Sequence, residues 1–182
     1  MVSIERCWTL SQMLAQALNV QGDVMEAGVF QGGTARLLKH AMSGAAGRTL
    51  FLFDSFEGME RVSRATDRHR AGDFADTSLE AVRKVVGSES YVDYRKGWVP
   101  QSFSGLDDRT FCFAHIDLDL YQSILDCMAF VYPRMPSGGV IVFDDYGFPS
   151  CPGARKAVDE FFATKPERPL ALMTGQALVM KL

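Results

Sequence analysis

The chain has 182 residues, of which 47% are hydrophobic and 23% are charged. This length is typical of one domain, and this composition excludes a disordered, collagen-like or coiled-coil protein. A formal net charge of -3 provides no basic surface for nucleic acid or an anionic membrane. We therefore expect one globular domain over residues 1–182 with a small-molecule partner, and neither a nucleic-acid nor a membrane partner.

The N-terminal segment predicts a helix within residues 1–20, because apolar residues recur at helical spacing from Glu5 to Leu18. It contains no apolar run of the length that a signal peptide or a membrane span requires, so we expect a cytoplasmic protein. The four cysteines lie far apart without a C-x-x-C pair. Their spacing predicts reduced, mostly buried thiols rather than a zinc site or a disulfide framework.

Short apolar runs then alternate with helical or polar segments, and five such units follow one another. Their strand-like runs are VMEAGVF, LFLFD, YVDYRKG, FCFAHID and VIVFDD, and the helical segments are TARLLKHAM, VPQSFSGL, YQSILDCMAFVY and ARKAVDEFFA. This alternation predicts an α/β fold with a mostly parallel sheet and helices on both faces. Two final runs, LALMT and QALVMKL, are separated by Gly175 and predict a C-terminal β-hairpin at one sheet edge.

Residues 58–76 directly follow the second predicted strand and form a charged segment that is poor in aliphatic residues. We interpret this segment, called the lid below, as mobile and partly helical. An ordinary solvated loop is the alternative.

The first predicted strand ends in a glycine-rich turn that leads into a helix. A dinucleotide fingerprint G-x-G-x-x-G starting at Gly28 would need its second glycine at position 30, where this chain has Phe30. That argues against NAD, and the absence of a G-x-x-x-x-G-K-[ST] sequence argues against a P-loop. Asp54 ends the second strand, where a carboxylate can accept hydrogen bonds from ribose hydroxyls. The pattern favours S-adenosylmethionine; a turn with a purely structural role is the alternative.

Carboxylates follow two further strands. Asp117 comes after FCFAHI, and Asp144 and Asp145 come after VIVF. If these strands are neighbours, the three side chains converge at one edge of the sheet, and oxygen ligands of this kind suit Mg²⁺. The alternative is that they cap helices and turns, and Asp119 in particular could cap the helix that begins near Tyr121.

Six motifs together resemble the macrocin O-methyltransferase family. They are Glu26-x-Gly28-x-x-x-Gly32-Gly33, Asp54-Ser55-Phe56-Glu57-Gly58, Lys96-Gly97-Trp98, Asp117-x-Asp119-Leu120-Tyr121-x-Ser123, Gly138-Gly139 with Asp144-Asp145-Tyr146, and Gly153-x-x-Lys156-Ala157-Val158-Asp159-Glu160-Phe161. That family comprises class I, metal-dependent methyltransferases that act on hydroxyls of sugars and related natural products. The match extends in order from about Val24 to Phe162.

The resemblance implies a Rossmann-like class I methyltransferase fold, with S-adenosylmethionine on the Gly28 turn, Asp54 on its ribose, and Mg²⁺ held by Asp117, Asp144 and Asp145. It is compatible with a homo-oligomer. The residues that we expect to bind the cofactor are Glu26, Gly28, Phe30, Gly32, Gly33, Thr34, Asp54, Ser55, Gly97, Trp98 and Asp117.

The general base is expected in the lid, where His69 offers an imidazole, the side chain that most often serves as a general base, and could close over the acceptor. His115 lies on the same strand face as Asp117 and is an alternative, as are Asp119 and bulk water. The predicted function is Mg²⁺-dependent methyl transfer from S-adenosylmethionine to a hydroxyl of a sugar or polyhydroxylated natural product.

Three other functions compete with this one. A catechol-type O-methyltransferase would carry a lysine shortly after the first metal aspartate, where this chain reads Leu118-Asp119-Leu120. A haloacid-dehalogenase-like phosphatase would need a lysine before the last pair of aspartates, and residues 120–143 contain none. A non-catalytic nucleoside-binding module would not require the carboxylates.

Overall fold

The computed structural model describes residues 2–60 and 62–182. Within these residues the chain forms five α-helices and seven β-strands. In chain order they are α1 (Ile4–Ala17), β1 (Asp23–Ala27), α2 (Gly33–Ala41), β2 (Leu50–Asp54), α3 (Leu79–Val86), β3 (Val92–Lys96), β4 (Phe111–Ile116), α4 (Tyr121–Val131), β5 (Val140–Phe143), α5 (Pro152–Phe162), β6 (Leu170–Ala171) and β7 (Ala177–Met180).

The seven strands form one sheet in the order β3-β2-β1-β4-β5-β7-β6. The first five are parallel, whereas β7 runs antiparallel to both β5 and β6. The predicted α/β sheet with a C-terminal hairpin at one edge is thereby confirmed. The strand order reverses between β1 and β4, and ligands of open α/β sheets bind outside the carboxyl ends of the strands at such a point.

Helices cover both faces of the sheet. One apolar core contains side chains of α1, α2 and α3, and the other contains side chains of α4 and α5. Every residue of β4 and β5 is buried, because these central parallel strands are covered on both sides. None of the helices in the described ranges is both long and apolar enough to cross a bilayer.

Three local predictions differ from the structure, and they concern the segment VPQSFSGL, helix α3 and the lid. The segment VPQSFSGL contains only a 3₁₀ turn at Gln101–Phe103, since Pro100 and Gly105 leave too few residues for an α-helix. Helix α3 was not predicted; it begins after Ser78, whose hydroxyl caps the Ala81 amide, and ends at Gly87.

The described part of the lid contains turns and no helix. Its aspartates accept hydrogen bonds from nearby amides instead: Asp67 from Ser63 and Asp73 from Arg70. Such side-chain bonds compete with helical hydrogen bonding. The partly helical lid is therefore corrected to an irregular one.

Candidate active site

The carboxyl ends of the central strands open onto one cavity of about 680 Å³. Its wall on the β2 side includes Asp54 and Trp98, and its wall on the β5 side includes Asp119 and Asp145. His69 of the lid and Arg6 of α1 also face the cavity. One space therefore joins the predicted nucleoside region to the predicted metal region.

The turn between β1 and α2, residues 28–33, is called the glycine turn here. Gly28 has φ +89°, and a side chain at this position would overlap the carbonyl oxygen of Asp117, so only glycine fits between the ends of β1 and β4. A Cβ on Gly32 would lie 2.9 Å from Val86 of α3. A Cβ on Gly33 would meet no atom of the described residues within 4 Å, and this residue lines the cavity. The turn thus packs tightly on the protein side and leaves space on the cavity side.

Asp54 holds this turn in place. Its Oδ2 atom accepts hydrogen bonds from the amides of Val29 and Phe30, both at 2.8 Å, and its Oδ1 atom accepts one from Phe56 at 2.6 Å. The carboxylate also lines the cavity, and Oδ1 retains capacity for a further donor. Asp54 is therefore a structural cap of the turn as well as a candidate acceptor for ribose hydroxyls.

Most of the predicted cofactor-binding residues lie on the cavity wall, namely Gly28, Phe30, Gly33, Thr34, Asp54, Ser55, Gly97, Trp98 and Asp117. Gly32 instead packs on α3. Glu26 is fully buried behind the wall, with Oε1 2.8 Å from Nδ1 of His115. The structure thus places Glu26 as a partner of His115 and not on the wall that a cofactor would touch.

The acidic cluster consists of Asp117, Asp119, Asp144 and Asp145. Asp117, Asp119 and Asp145 each offer an oxygen, and these oxygens lie within 4.8 Å of one another. Burial raises the pKa of Asp117 well above its ordinary value, and the charges of Asp145 and Asp144 raise it further. Burial, followed by the charges of Asp119 and Asp144, raises the pKa of Asp145 to about 7. This oxygen-only, mutually repelling set fits a hard divalent cation such as Mg²⁺.

The negative charge of the Asp144 carboxylate is compensated by neighbouring side chains. One carboxylate oxygen pairs with Arg6, and the other accepts a hydrogen bond from Gln176 at 2.8 Å and lies 3.5 Å from Nε2 of His115. Burial alone would raise the pKa of Asp144, but the hydrogen bond and charge of His115, together with Arg6 and Gln176, hold it below its usual range. All three predicted metal ligands thus face the cavity, with Asp144 in a different electrostatic environment.

Sequence reasoning missed Arg6 and Gln176. Arg6 lies on the same helical stripe as Leu10 and Leu14, both fully buried. A charged residue on an apolar stripe is the signal that could have identified it. Gln176 is fully buried immediately before the apolar strand β7, and the sequence around it offers no comparable signal.

The lid lies over the acidic cluster. Nε2 of His69 is 3.7 Å from Oδ1 of Asp119. Asp67 accepts a hydrogen bond from the amide of Tyr121 at the start of α4, and directly after the lid the hydroxyl of Thr77 donates to the carbonyl of Phe30. Of the two histidines considered as the base, His69 faces the cavity, whereas His115 is fully buried and does not.

The chain resembles proteins of known activity along nearly its whole length. The sequence pattern of the macrocin O-methyltransferase (TylF) family matches residues 1–175. Demethyldecarbamoylnovobiocin O-methyltransferase of Streptomyces niveus is 30% identical over 178 residues, which cover 90% of this chain and 67% of that protein. The 8-demethyl-8-(2,3-dimethoxy-alpha-L-rhamnosyl)-tetracenomycin-C 4'-O-methyltransferase of Streptomyces olivaceus is 30% identical over 176 residues, covering 88% and 66%. The chain thus spans about two thirds of the length of these relatives.

Among solved structures, the O-methyltransferase NovP superposes with a TM-score of 0.88 at 27% sequence identity, over 98% of this chain and 80% of that one. The family pattern, the two relatives and the superposed structure all correspond to O-methyltransferases. The chain therefore belongs to the macrocin O-methyltransferase family and is an O-methyltransferase.

Proposed function

We propose that the protein transfers a methyl group from S-adenosylmethionine to a hydroxyl of a sugar or polyhydroxylated natural product, with Mg²⁺ at the acidic cluster. The observation that carries this proposal is the single cavity of about 680 Å³ that joins the glycine turn to the four carboxylates. A donor bound on one side and an acceptor oxygen on the other would meet within this one space.

On the donor side, the chain's contribution is to bind and orient. Gly33 begins α2 with open space in front of it, so a ligand can approach the first amides of this helix. Asp54 keeps the turn in shape and offers Oδ1 to a ribose hydroxyl. Trp98 lines the same part of the wall and offers an aromatic surface for a nucleobase. When bound, S-adenosylmethionine supplies the electrophilic methyl group, and Mg²⁺ supplies positive charge beside the acceptor oxygen.

On the acceptor side, Asp117, Asp144 and Asp145 would hold the metal. Asp117 and Asp145 belong to the compact oxygen group, and their pKa values are raised first by burial and then by neighbouring carboxylates, whose negative charge a cation would offset. Asp144 is held in one orientation by Arg6, His115 and Gln176. Such supporting contacts orient metal ligands.

We assign the proton acceptor to His69. It is one of the cavity-lining residues, and its position on the lid allows it to approach an acceptor hydroxyl while the lid excludes water. Its Nε2 atom faces Asp119, whose carboxylate would stabilise the imidazolium once the proton is taken. His115 is not among the cavity-lining residues and would instead orient Asp144.

The acceptor class is inferred from the relatives. The name of one specifies a rhamnosyl-substituted natural product as its acceptor. A catechol acceptor is less well supported, since Leu118-Asp119-Leu120 lacks the lysine that catechol-type enzymes carry there. The family match argues against the dehalogenase-like phosphatase and the non-catalytic module.

The deciding experiment measures transfer of a labelled methyl group from S-adenosylmethionine to a panel of glycosylated natural products, free sugars, polyols and catechols. Phosphate release from sugar phosphates is measured alongside. We expect labelled product from a glycosylated or polyhydroxylated acceptor, loss of transfer in excess chelator, and recovery with Mg²⁺. Undiminished transfer in excess chelator would remove the metal from the proposal, and transfer only to catechols would change the acceptor class.

A further inference from the structure

Beside the oxygen cluster lies a second group of potential ligands, which the proposed reaction does not use as a unit. His69 comes from the lid, Asp119 from the segment after β4, and Cys151 from the residue immediately before α5. Each offers one ligand atom, and the three atoms lie within 4.8 Å of one another. Oδ1 of Asp119 is 3.7 Å from Nε2 of His69 and 3.2 Å from Sγ of Cys151.

We propose that His69, Asp119 and Cys151 form a second cation site, which takes a borderline-soft divalent ion such as Zn²⁺ and fastens the lid to the rest of the domain. This inference goes beyond the proposed methyl transfer and does not depend on it.

The spacing of the three atoms suits a tetrahedral ion. Zinc bonds of about 2.0–2.3 Å to nitrogen, oxygen and sulfur place neighbouring ligand atoms roughly 3.3–3.7 Å apart. Two of the three separations, 3.7 and 3.2 Å, are close to that range, and the third is no more than 4.8 Å. Three protein ligands leave the fourth position open for water or another small molecule.

The contacts of the two ring nitrogens of His69 show which of them can bind an ion. Its Nδ1 atom is buried and has no hydrogen-bond partner among the residues that the structure describes, although a buried polar atom without a partner is costly. Nε2, by contrast, is directed at Asp119. Nε2 is therefore the nitrogen available to a cation bound together with Asp119 and Cys151.

The chemistry of the donors separates this site from the Mg²⁺ site. Imidazole nitrogen and thiolate sulfur favour zinc and similar ions, whereas carboxylates favour Mg²⁺. Burial raises the pKa of the Cys151 thiol, so the thiol is protonated before an ion arrives, and ion binding releases that proton to solvent. Asp119 also belongs to the oxygen group with Asp117 and Asp145, so the two sites share one ligand. A cation bound at the second site would engage both Asp119 and His69, and it would therefore inhibit methyl transfer.

Cobalt(II) is the probe, because it replaces zinc and because a thiolate–cobalt bond gives a charge-transfer absorption in the near ultraviolet. Co²⁺ is titrated into the chain without S-adenosylmethionine or acceptor, so the result is independent of the proposed reaction. We expect the absorption in the wild type and its loss in Cys151→Ser. His69→Gln should weaken cobalt binding by about tenfold or more, the least that loss of a direct ligand should cost. Cys7→Ser is the matched control, because Cys7 also lines the cavity but lies outside the cluster, and it should keep the absorption.

Limited trypsin digestion provides the second readout, since Arg64, Arg68 and Arg70 of the lid are exposed. Zn²⁺ should slow cleavage of the wild-type lid and leave cleavage of His69→Gln unchanged. His69 lies outside both apolar cores, so we expect His69→Gln to fold. If Cys151→Ser fails to fold, His69→Gln alone still tests the proposal. The proposal is overturned if the wild type shows no thiolate–cobalt absorption or if the absorption persists in Cys151→Ser. It is also overturned if Zn²⁺ slows trypsin cleavage of the wild type and of His69→Gln equally.

Discussion

Asp144 and Asp145 are adjacent in the chain, but the protein surrounds them with opposite charges. Asp144 pairs with Arg6 and accepts a hydrogen bond from Gln176, and its pKa lies below the usual range despite its burial. Asp145 is also buried, but it faces Asp119 and Asp144, and its pKa is raised to about 7. At the scale of single residues, a bound cation would therefore stabilise the ionised form of Asp145 more than that of Asp144.

Arg6→Gln should destabilise the protein. The substitution removes the positive charge that pairs with a carboxylate of which only 1% is exposed, while Gln176 and His115 remain as partners. We expect the free energy of unfolding to fall by about 1.5–3 kcal/mol, the range for hydrogen bonds to charged groups. Urea denaturation of the metal-free protein measures this change. Arg36→Gln, on the exposed side of α2, is the control, and an equal effect of both variants would contradict the role of Arg6.

His69→Gln should lower kcat by roughly 10²–10⁴, which general-base catalysis typically contributes. Affinity for S-adenosylmethionine and Mg²⁺ should be unchanged, because His69 lies on the lid and not in the oxygen group. Steady-state kinetics at saturating acceptor near pH 7 measure the effect. A variant that keeps more than about half of the wild-type kcat would show that the proton leaves by another route.

At the scale of elements, the passage from β1 to α2 shows that glycines of one motif have different tasks. Gly28 permits the close approach of two strand ends, and Gly32 permits the contact between α2 and α3. Gly33 has open space where its side chain would be. A single glycine-rich motif therefore serves both folding and ligand access.

Substitution of two of these glycines by alanine separates the two tasks. Gly28→Ala should lower the free energy of unfolding by about 3 kcal/mol or more, because it forces a positive φ on alanine and overlaps the Asp117 carbonyl. Gly33→Ala should change stability by less than about 0.5 kcal/mol but weaken S-adenosylmethionine binding, because its methyl group would enter the cavity. Denaturation curves and calorimetry measure the two effects. Equal stability of the two variants would refute the distinction.

At the scale of the whole molecule, the sheet brings four carboxylates from two strand ends to one edge of the cavity. Their burial, together with their mutual repulsion, makes the stability of the metal-free protein depend on pH. The folded-state pKa of Asp145 lies above the ordinary value of an aspartate, so the folded protein binds more protons than the unfolded chain between about pH 4 and pH 7. Stability therefore falls as the pH rises through this range.

Mg²⁺ should accordingly stabilise the protein more at pH 8 than at pH 5. At pH 8 Asp145 is mainly ionised and repels its neighbours, whereas at pH 5 it is mainly protonated and binds the cation weakly. We expect the gain in Tm on adding Mg²⁺ to be at least about 2 °C larger at pH 8, as measured by thermal unfolding. In Asp145→Asn the gain in Tm on adding Mg²⁺ should differ less between pH 8 and pH 5. Equal gains in the wild type at both pH values would count against a cation at this cluster.

The local sequence pattern was sufficient for most of the architecture. The parallel strands, the helices α1, α2, α4 and α5 and the terminal hairpin follow from apolar periodicity and turn residues, which act over a few positions. The same reasoning located Asp54, Asp117, Asp144 and Asp145 at strand ends, because parallel strands end at one edge of the sheet. It failed for α3 and the lid, where polar side chains and caps decide the backbone conformation.

The partners of these residues were decided only by the tertiary structure. Arg6 and Asp144 are 138 positions apart in the chain, and Glu26 and His115 are 89 apart. The cluster of His69, Asp119 and Cys151 likewise joins three segments whose cysteine spacing gives no sign of a metal site. Apolar periodicity determines which face of an element is buried, because each residue responds to its immediate neighbours along the chain. Which charges share that buried space depends on how distant elements pack, and packing determines whether a carboxylate meets an arginine, a histidine or another carboxylate.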